Sequence, residues 1–283
     1  MIAIITDSDA SLTDSLAEKY GITQVPITIQ FGEEVFRSGV DMNDDELFVR
    51  IDREGKLPTT AAPSPGNFTA AYQSAFDHGA DAVICLCVSG EISATYNSAK
   101  LAAEEFHAHK RIEVVDTRNL TMGQGYMAIA AAEAVQAGAS VEEAVAAAHH
   151  IGERVHVYGA LATLKYLALS GRVSHLAAGM AGMLDIKPIL SVQNGKLDLL
   201  EKIRTRKKAW ARVVELTQLD LNGRAIERMC VVHVAAAADA EEFKKLLIEQ
   251  LDYSGFLPVL PLSAGLAVHT GAGLVGLVFV VGE

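Results

Sequence analysis

The sequence predicts an α/β protein in two domains: an N-terminal, mostly parallel sheet covered by helices on both faces, then an α+β domain. Three observations predict it. Through the first half, short apolar runs alternate with helical stretches, as strands do when crossover helices return the chain. The runs IAIIT (2–6) and DAVICLCV (81–88) are nearly all apolar, as strands buried on both faces are. After about residue 155 the alternation gives way to a hairpin signal, amphipathic helices and further short strands. The expected domains are therefore 1–155 and 156–283.

Each element has its own local reason. IAIIT ends in Asp7-Ser8, and SLTDSLAEKYG (11–21) reads as a helix, with Ser11 and Asp14 at capping-box spacing and Gly21 as its stop. ITQVPITI (22–29) reads as one strand, and DDELFVRIDREG (44–55) as a helix closed by Gly55. LPTTAAPSPGNF (57–68) reads as a loop, because its prolines disfavour regular structure. A helix over FTAAYQSAFDHG (68–79), a strand over 81–88, a helix over TYNSAKLAAEEFHAH (95–109) and a strand over RIEVVD (111–116) follow. GYMAIAAAEAVQAG (125–138) and SVEEAVAAAHH (140–150) are Ala-rich helices, the second opened by Ser140 with Glu143 three residues on.

In the second half, IKPILSVQNGKLDLLEKIR (186–204) is two extended runs around Asn194-Gly195, the pair that a two-residue hairpin turn favours. RKKAWARVVELTQL (206–219) and DAEEFKKLLIEQL (239–251) are amphipathic helices. RMCVVHVA (228–235), GFLPVL (255–260), LAVHT (266–270) and VGLVFVV (275–281) read as strands.

Composition excludes several functions. The chain has 283 residues, 50% apolar and 21% charged, and reads as a soluble globular protein. Its net charge of −11 and lack of a long Lys/Arg block exclude nucleic acid as a partner. An Asp interrupts the N-terminal apolar stretch, which has no basic start, so a signal peptide is not expected. No uncharged apolar run reaches the ~18 residues of a membrane span. The three cysteines cannot pair completely, and Cys85 and Cys87 read as buried apolar residues on one strand face, which fits a reduced cytoplasm.

In a parallel sheet, ligands sit beyond the carboxyl ends of the strands. Asp7-Ser8, Asp116-Thr117 and the loop CVSGEISATYNSAK (87–100) all fall at that edge. The loop carries Ser89, Ser93 and Thr95 with no neighbouring His, Cys or Lys. Nucleophilic catalysis by Ser93, with His269 as base, is one reading. A hydrolase elbow, however, needs G-x-S-x-G, and here Glu91 and Thr95 stand at the two Gly positions around Ser93. GAGLVG (271–276) matches a dinucleotide fingerprint, but only seven residues follow it, too few for the rest of that unit. No His and carboxylate spacing indicates a metal. RTRKKAWAR (204–212) reads from its spacing as an exposed helix face. What remains is hydroxyl-rich loops, with Thr59-Thr60, Ser64, Ser89, Ser93 and Thr95. With Arg172, Arg204 and His269 they suggest capture of one anion.

The same residues carry a resemblance. TDSDASL, LPTTAAPSPGNF, SGEISATYNSA, VVDT, LKYLALSGRVS, LDIKPIL, EKIRTRKKA and VHTGAG occur in the order of the DegV family, over essentially the whole chain. The chain thus resembles the fatty-acid-binding subunit of bacterial fatty acid kinase, whose two α/β domains clasp a long-chain fatty acid. The resemblance implies that Thr60 and Ser93 bind the carboxylate together with His269. Thr95, Arg172 and Arg204 then support the head group or face a partner, and the second domain contributes an acyl-chain tunnel. Ala61, Ala62, Ala94, Ala272 and Ser170 stand where the family has other residues. The implied partners are a long-chain fatty acid and the kinase's ATP-binding subunit, with room for a transient membrane contact. No cofactor is expected, and the acyl phosphate would serve phospholipid synthesis.

Hydroxyl donors replace the water around a carboxylate without attacking it. Burying ~16 methylenes at ~0.8 kcal/mol each gives roughly 13 kcal/mol gross. The tail would therefore set affinity, and the head group register.

Overall fold

The computed structural model of the protein describes residues 1–171, 186–251 and 253–283. Its contacts group them into two compact units, 1–41 with 60–153 and 194–196, and 42–59 with 154–193 and 197–283.

The first unit begins with β1 (Ile2–Asp7), a 3₁₀ turn (Ser8–Ala10), α1 (Asp14–Tyr20), β2 (Ile22–Val25), β3 (Thr28–Phe31) and β4 (Glu34–Arg37). The next helix, α2 (Asp44–Glu54), groups with the second unit. Then come β5 (Thr59–Ala61), α3 (Pro65–Asp77), β6 (Ala82–Cys87), α4 (Thr95–Glu104), β7 (Arg111–Asp116), α5 (Thr121–Gln136) and α6 (Val141–Gly152). Four strands form a fully parallel sheet in the order β2-β1-β6-β7. Every residue of the central strand β6 is buried, as its unbroken apolar sequence requires. Helices α3 and α4 cover Ile5, Val83, Cys85 and Cys87 with Phe68, Tyr72, Ala99 and Ala102, while α5 and α6 pack on the other face. The buried Tyr72 hydroxyl donates to the Ala99 carbonyl (3.1 Å), tying α3 to α4.

Local readings hold where a cap or glycine carries them and fail where one residue changes the backbone's options. Ser140 and Glu143 form the expected capping box on α6, and Gly21 and Gly55 end their helices in the left-handed region; the box of Asn43 and Glu46 on α2 is a further finding of the structure. The cap of α1, however, is Thr13, which accepts the Leu16 N–H (3.3 Å); Ser11 instead ends the 3₁₀ turn at φ 54°. The expected single strand 22–29 is two, because Pro26 donates nothing and the Ile27 N–H goes to Ser8 Oγ (3.0 Å). The expected loop 57–68 contains β5, the third strand of a small sheet ordered β4-β3-β5. Its prolines bracket that strand, and Pro65 occupies the first turn of α3, where a missing N–H costs little.

The second unit is built on a six-stranded mixed sheet. Its elements are β8 (Val155–Ala160), α7 (Lys165–Ser170), β9 (Lys187–Gln193), β10 (Lys196–Ile203), α8 (Arg206–Leu221), β11 (Ile226–His233), α9 (Ala237–Leu251), β12 (Val259–Pro261), α10 (Ala264–Thr270) and β13 (Val275–Val281). The strand order is β10-β9-β8-β13-β11-β12, with α8 and α9 packed against the sheet. Segment 266–270, expected as a strand, is the end of α10. Ser263 accepts the Leu266 N–H (3.3 Å) to start that helix, and Ala264 to Val268 are all buried. No helix among the described residues is long and apolar enough to cross a membrane.

The core of the second unit gathers Trp210 from α8, Phe243 and Leu247 from α9, and Val231 and Phe279 from the sheet. Trp210 and Phe243 lie with ring centroids 5.6 Å apart. Phe243 is fully buried, so Phe243→Ala should lower stability by about 3–5 kcal/mol. Calorimetry checks this, and an unchanged melting temperature would contradict the packing.

Candidate functional site

Parallel strands bring three chain segments to one edge of the first sheet. Asp7 ends β1, Asp116 ends β7, and the loop 88–94 leaves β6 between them. The fully buried Asp7 accepts the Val88 N–H through Oδ2 (2.8 Å) and the Asp9 N–H through Oδ1 (3.0 Å). Asp116 Oδ1 accepts the Gly90 N–H (3.2 Å) and the Arg118 N–H (2.9 Å). The Ser89 N–H goes to the Asn119 carbonyl (2.8 Å), and the Ser89 carbonyl accepts both Ile92 N–H and Ser93 N–H (3.0 Å each). A tight turn results, and it sets the position of Ser93.

Within that turn Ser93 Oγ and Thr95 Oγ1 lie 2.8 Å apart, and Ser93 Oγ accepts the Thr95 N–H (3.3 Å). Ser93 is half-buried and Thr95 buried. The sequence groups these hydroxyls, and the structure brings them together. Both hydrogen bonds of the Ser93 hydroxyl run to Thr95, and either hydroxyl of the pair can donate to the other.

A distant segment braces the same turn. The tip of the β9–β10 hairpin, 194–196, groups with the first unit. Ser89 Oγ donates to the Gly195 carbonyl (2.7 Å), the Arg118 guanidinium donates to the Asn194 carbonyl, and Lys196 Nζ lies 3.4 Å from Glu91. Asn194 and Gly195 have φ of 51° and 82°, the pair of left-handed residues that a type I′ turn needs. A Cβ on Gly195 would stand 2.7 Å from Ser89 Oγ. Sequence reading finds the hairpin but not what its tip touches, because the partners are about a hundred residues away.

The other expected residues are placed as follows. Thr60 is half-buried on β5, in the first unit. His269 is half-buried in the last turn of α10, in the second unit, where Phe48 of α2 and Tyr166 of α7 form an edge-to-face pair. Gly271, at φ 79°, follows that helix; a Cβ there would collide with the Tyr166 ring. The glycines of GAGLVG thus serve close packing: at Gly276 a Cβ would meet the Tyr158 carbonyl at 2.8 Å. Arg204 is exposed between β10 and α8. Its cluster is mostly internal: Arg206 pairs with Asp239, Lys207 lies 3.4 Å from Glu242, and Arg212 pairs with Glu201 (2.8 Å) and Glu215 (2.7 Å). Among the described residues Arg204 has no ion pair. Arg172 lies outside the described residues.

Burial governs the titrating groups. It pushes the Asp7 carboxyl up to about 6, against the hydrogen bonds from Val88, Asp9 and Gln124 that favour its charged form. The Cys85 and Cys87 sulfurs lie 3.7 Å apart on one face of β6, and that contact, with burial, holds the Cys87 thiol well above its ordinary value. Such thiols are poor nucleophiles. Among the described residues no three His, Cys, Asp or Glu side chains cluster as metal ligands.

Comparison with known proteins agrees with this architecture. The family model "Uncharacterised protein, DegV family" matches residues 1–282. The chain belongs to the DegV family. A DegV domain-containing protein of Streptomyces coelicolor is 35% identical over 98% of this chain and 97% of its own. A fatty-acid-binding DegV family protein of Thermus thermophilus has a TM-score of 0.90 at 30% identity, with 99% of each chain covered. DegV of Bacillus subtilis, a fatty acid binding protein, has a TM-score of 0.87 at 28% identity over 99% of each chain. DegV proteins thus include structurally similar fatty acid binders, and the mixed α/β fold is theirs.

Two substitutions test the brace. Ser89→Ala removes a buried donor and leaves its partners short of one bond, which should cost about 1–3 kcal/mol. Gly195→Ala strains a left-handed residue and crowds the same hydroxyl, and should lower the melting temperature too. Wild-type melting in both would show that the hairpin tip does not hold the turn.

Proposed function

We propose that this chain binds one long-chain fatty acid and presents its carboxylate for phosphorylation by a separate ATP-dependent kinase subunit. The observation that carries the reading is the Ser93–Thr95 hydroxyl pair, bonded to each other at the carboxyl edge of a parallel sheet. A carboxylate leaving water needs donors, and a serine paired with a threonine donates where one paired with a histidine attacks. The fatty acid binding of the Thermus and Bacillus relatives supports the same conclusion.

In this reading Thr60 and Ser93 donate to the carboxylate, with His269 as a third contact and Thr95 orienting Ser93. Residues 1–155 supply the hydroxyls, and 156–283 supply apolar lining for the acyl chain. A carboxylate oxygen attacks the γ-phosphorus of ATP, the bond to the ADP oxygen breaks, and ADP leaves. The product acyl phosphate carries more negative charge than the acid. A cation nearby therefore stabilises transfer more than it stabilises bound acid, which is the condition for raising rate. Arg204, exposed and without an ion pair among the described residues, is the cation assigned that role. The setting is the bacterial cytoplasm, where the kinase finds ATP and the acyl phosphate enters phospholipid synthesis.

The delipidated protein should take up palmitate or oleate. Loss of both hydroxyls in Thr60→Ala/Ser93→Ala should weaken binding by about 1–3 kcal/mol per hydroxyl. Unchanged affinity in the double variant would contradict the assignment. With a fatty acid kinase subunit and ATP, Arg204→Ala should bind palmitate nearly as wild type yet be phosphorylated more slowly, and His269→Ala should be phosphorylated more slowly too. Wild-type rates would remove both from the site. Burst release from an activated ester, lost in Ser93→Ala, would instead favour a serine esterase using Ser93 and His269.

A further inference from the structure

Asp7 has no place in the carboxylate site, yet three hydrogen bonds hold its carboxylate beneath the loop. The side chain is fully buried, and among the described residues no cation pairs with it. Its neighbours are three N–H donors: Val88 (2.8 Å), Asp9 (3.0 Å) and Gln124 Nε2 (3.1 Å). The Gln124 amide is itself fixed, since the two hydrogens on Nε2 are shared among Asp7, Thr6 Oγ1 (2.9 Å) and the Leu86 carbonyl (3.3 Å). Thr6 and Gln124 are fully buried as well. A lone carboxylate in such a place is costly, so its retention at the root of a functional loop points to a role there.

We propose that Asp7, oriented by Gln124, is a positioning residue: its ionised carboxylate holds the Val88 N–H and so fixes the turn that presents Ser93. The path is short. Val88 is the first residue after β6, the Ser89 carbonyl next to it accepts the Ser93 N–H, and Ser93 Oγ meets Thr95. Both Asp7 oxygens already accept N–H groups. An added proton would share these oxygens with N–H donors and remove the charge that strengthens all three bonds. The inference rests on the carrier reading, because it matters to function only if Ser93 holds a ligand.

The elements around Asp7 leave few competing titrations. Asp9 adjoins it on the 3₁₀ turn, and Cys87 at the end of β6 senses both Asp7 and Asp116. Helix α5 presents the neutral Gln124, and β2 presents Val25 opposite Asp7. The buried carboxyl titrates at about 6 instead of 3.8. Because the folded value is raised, protonation stabilises the fold; that contribution is complete below 3.8 and is lost as pH rises through about 6. Ligand capture runs the other way, since the turn needs the charged form. Opposite signs separate positioning from a purely structural role.

The test follows palmitate affinity, melting temperature and the Val88 amide resonance of wild type, Asp7→Asn and Gln124→Met from about pH 5 to pH 7.5. Wild type should bind roughly tenfold more weakly at the acid end, the worth of one buried hydrogen bond. The Val88 resonance should titrate with the same midpoint while melting does not fall. Asp7→Asn should bind weakly with no step at that midpoint, and Gln124→Met should shift the midpoint upward by removing a donor to the charged form. An ordinary carboxyl titrates lower, near the ~4.3 of a glutamate side chain, and Asp7→Asn reports any step that belongs to the palmitate carboxyl itself. A Val88 resonance that does not move, or an Asp7→Asn affinity and profile equal to wild type, would overturn the proposal and leave the carrier reading intact. If the variants fail to fold, the wild-type Val88 titration decides alone. Absence of palmitate binding by wild type at every pH would overturn the carrier reading itself.

Discussion

In a parallel sheet the chain leaves every strand at the same edge, and the backbone groups stranded there need partners. In this protein the carboxylates of Asp7 and Asp116 and the carbonyl of Asn119 supply acceptors for Val88, Gly90 and Ser89. Those three bonds decide where the chain after β6 runs, and therefore where Ser93 and Thr95 stand. The hydroxyl pair is thus a consequence of how the edge is satisfied.

Head group and tail make different demands on such a site. Burial of a long apolar chain contributes most of the free energy, and it is indifferent to which atom leads. Hydroxyls at one fixed point give the ligand an end. That division suits a carrier that hands over one carboxylate. A hydrolase needs a base against its serine, and the bonds of Ser93 run instead to Thr95.

What the sequence discloses follows from the range of the interactions involved. The buried strands, the cap at Ser140, the Gly21 and Gly55 stops and the Asn194-Gly195 turn depend on neighbours within a few residues, and each is legible. Pro26 splits a strand, Thr59–Ala61 form one, and 266–270 close a helix because partners elsewhere in the chain decide their backbone bonds. The candidate site divides in the same way. Ser93 and Thr95 are two residues apart and read directly. Asp7 reaches Val88 across 81 residues, Gln124 reaches Thr6 across 118, and Ser89 reaches Gly195 across 106, so these supports are silent in the sequence. One amide in an Ala-rich helix and one acid after an apolar strand carry no local mark of a shared role.

In the proposed function a fatty acid is this protein's ligand, held by its carboxylate and left chemically unchanged by the protein alone. Mass spectrometry of the organic extract of freshly purified protein tests it most directly. The extract should contain an intact long-chain fatty acid at about one per chain, reduced in Thr60→Ala/Ser93→Ala. A wild-type extract free of fatty acid, together with no uptake of palmitate or oleate on re-exposure, would contradict it.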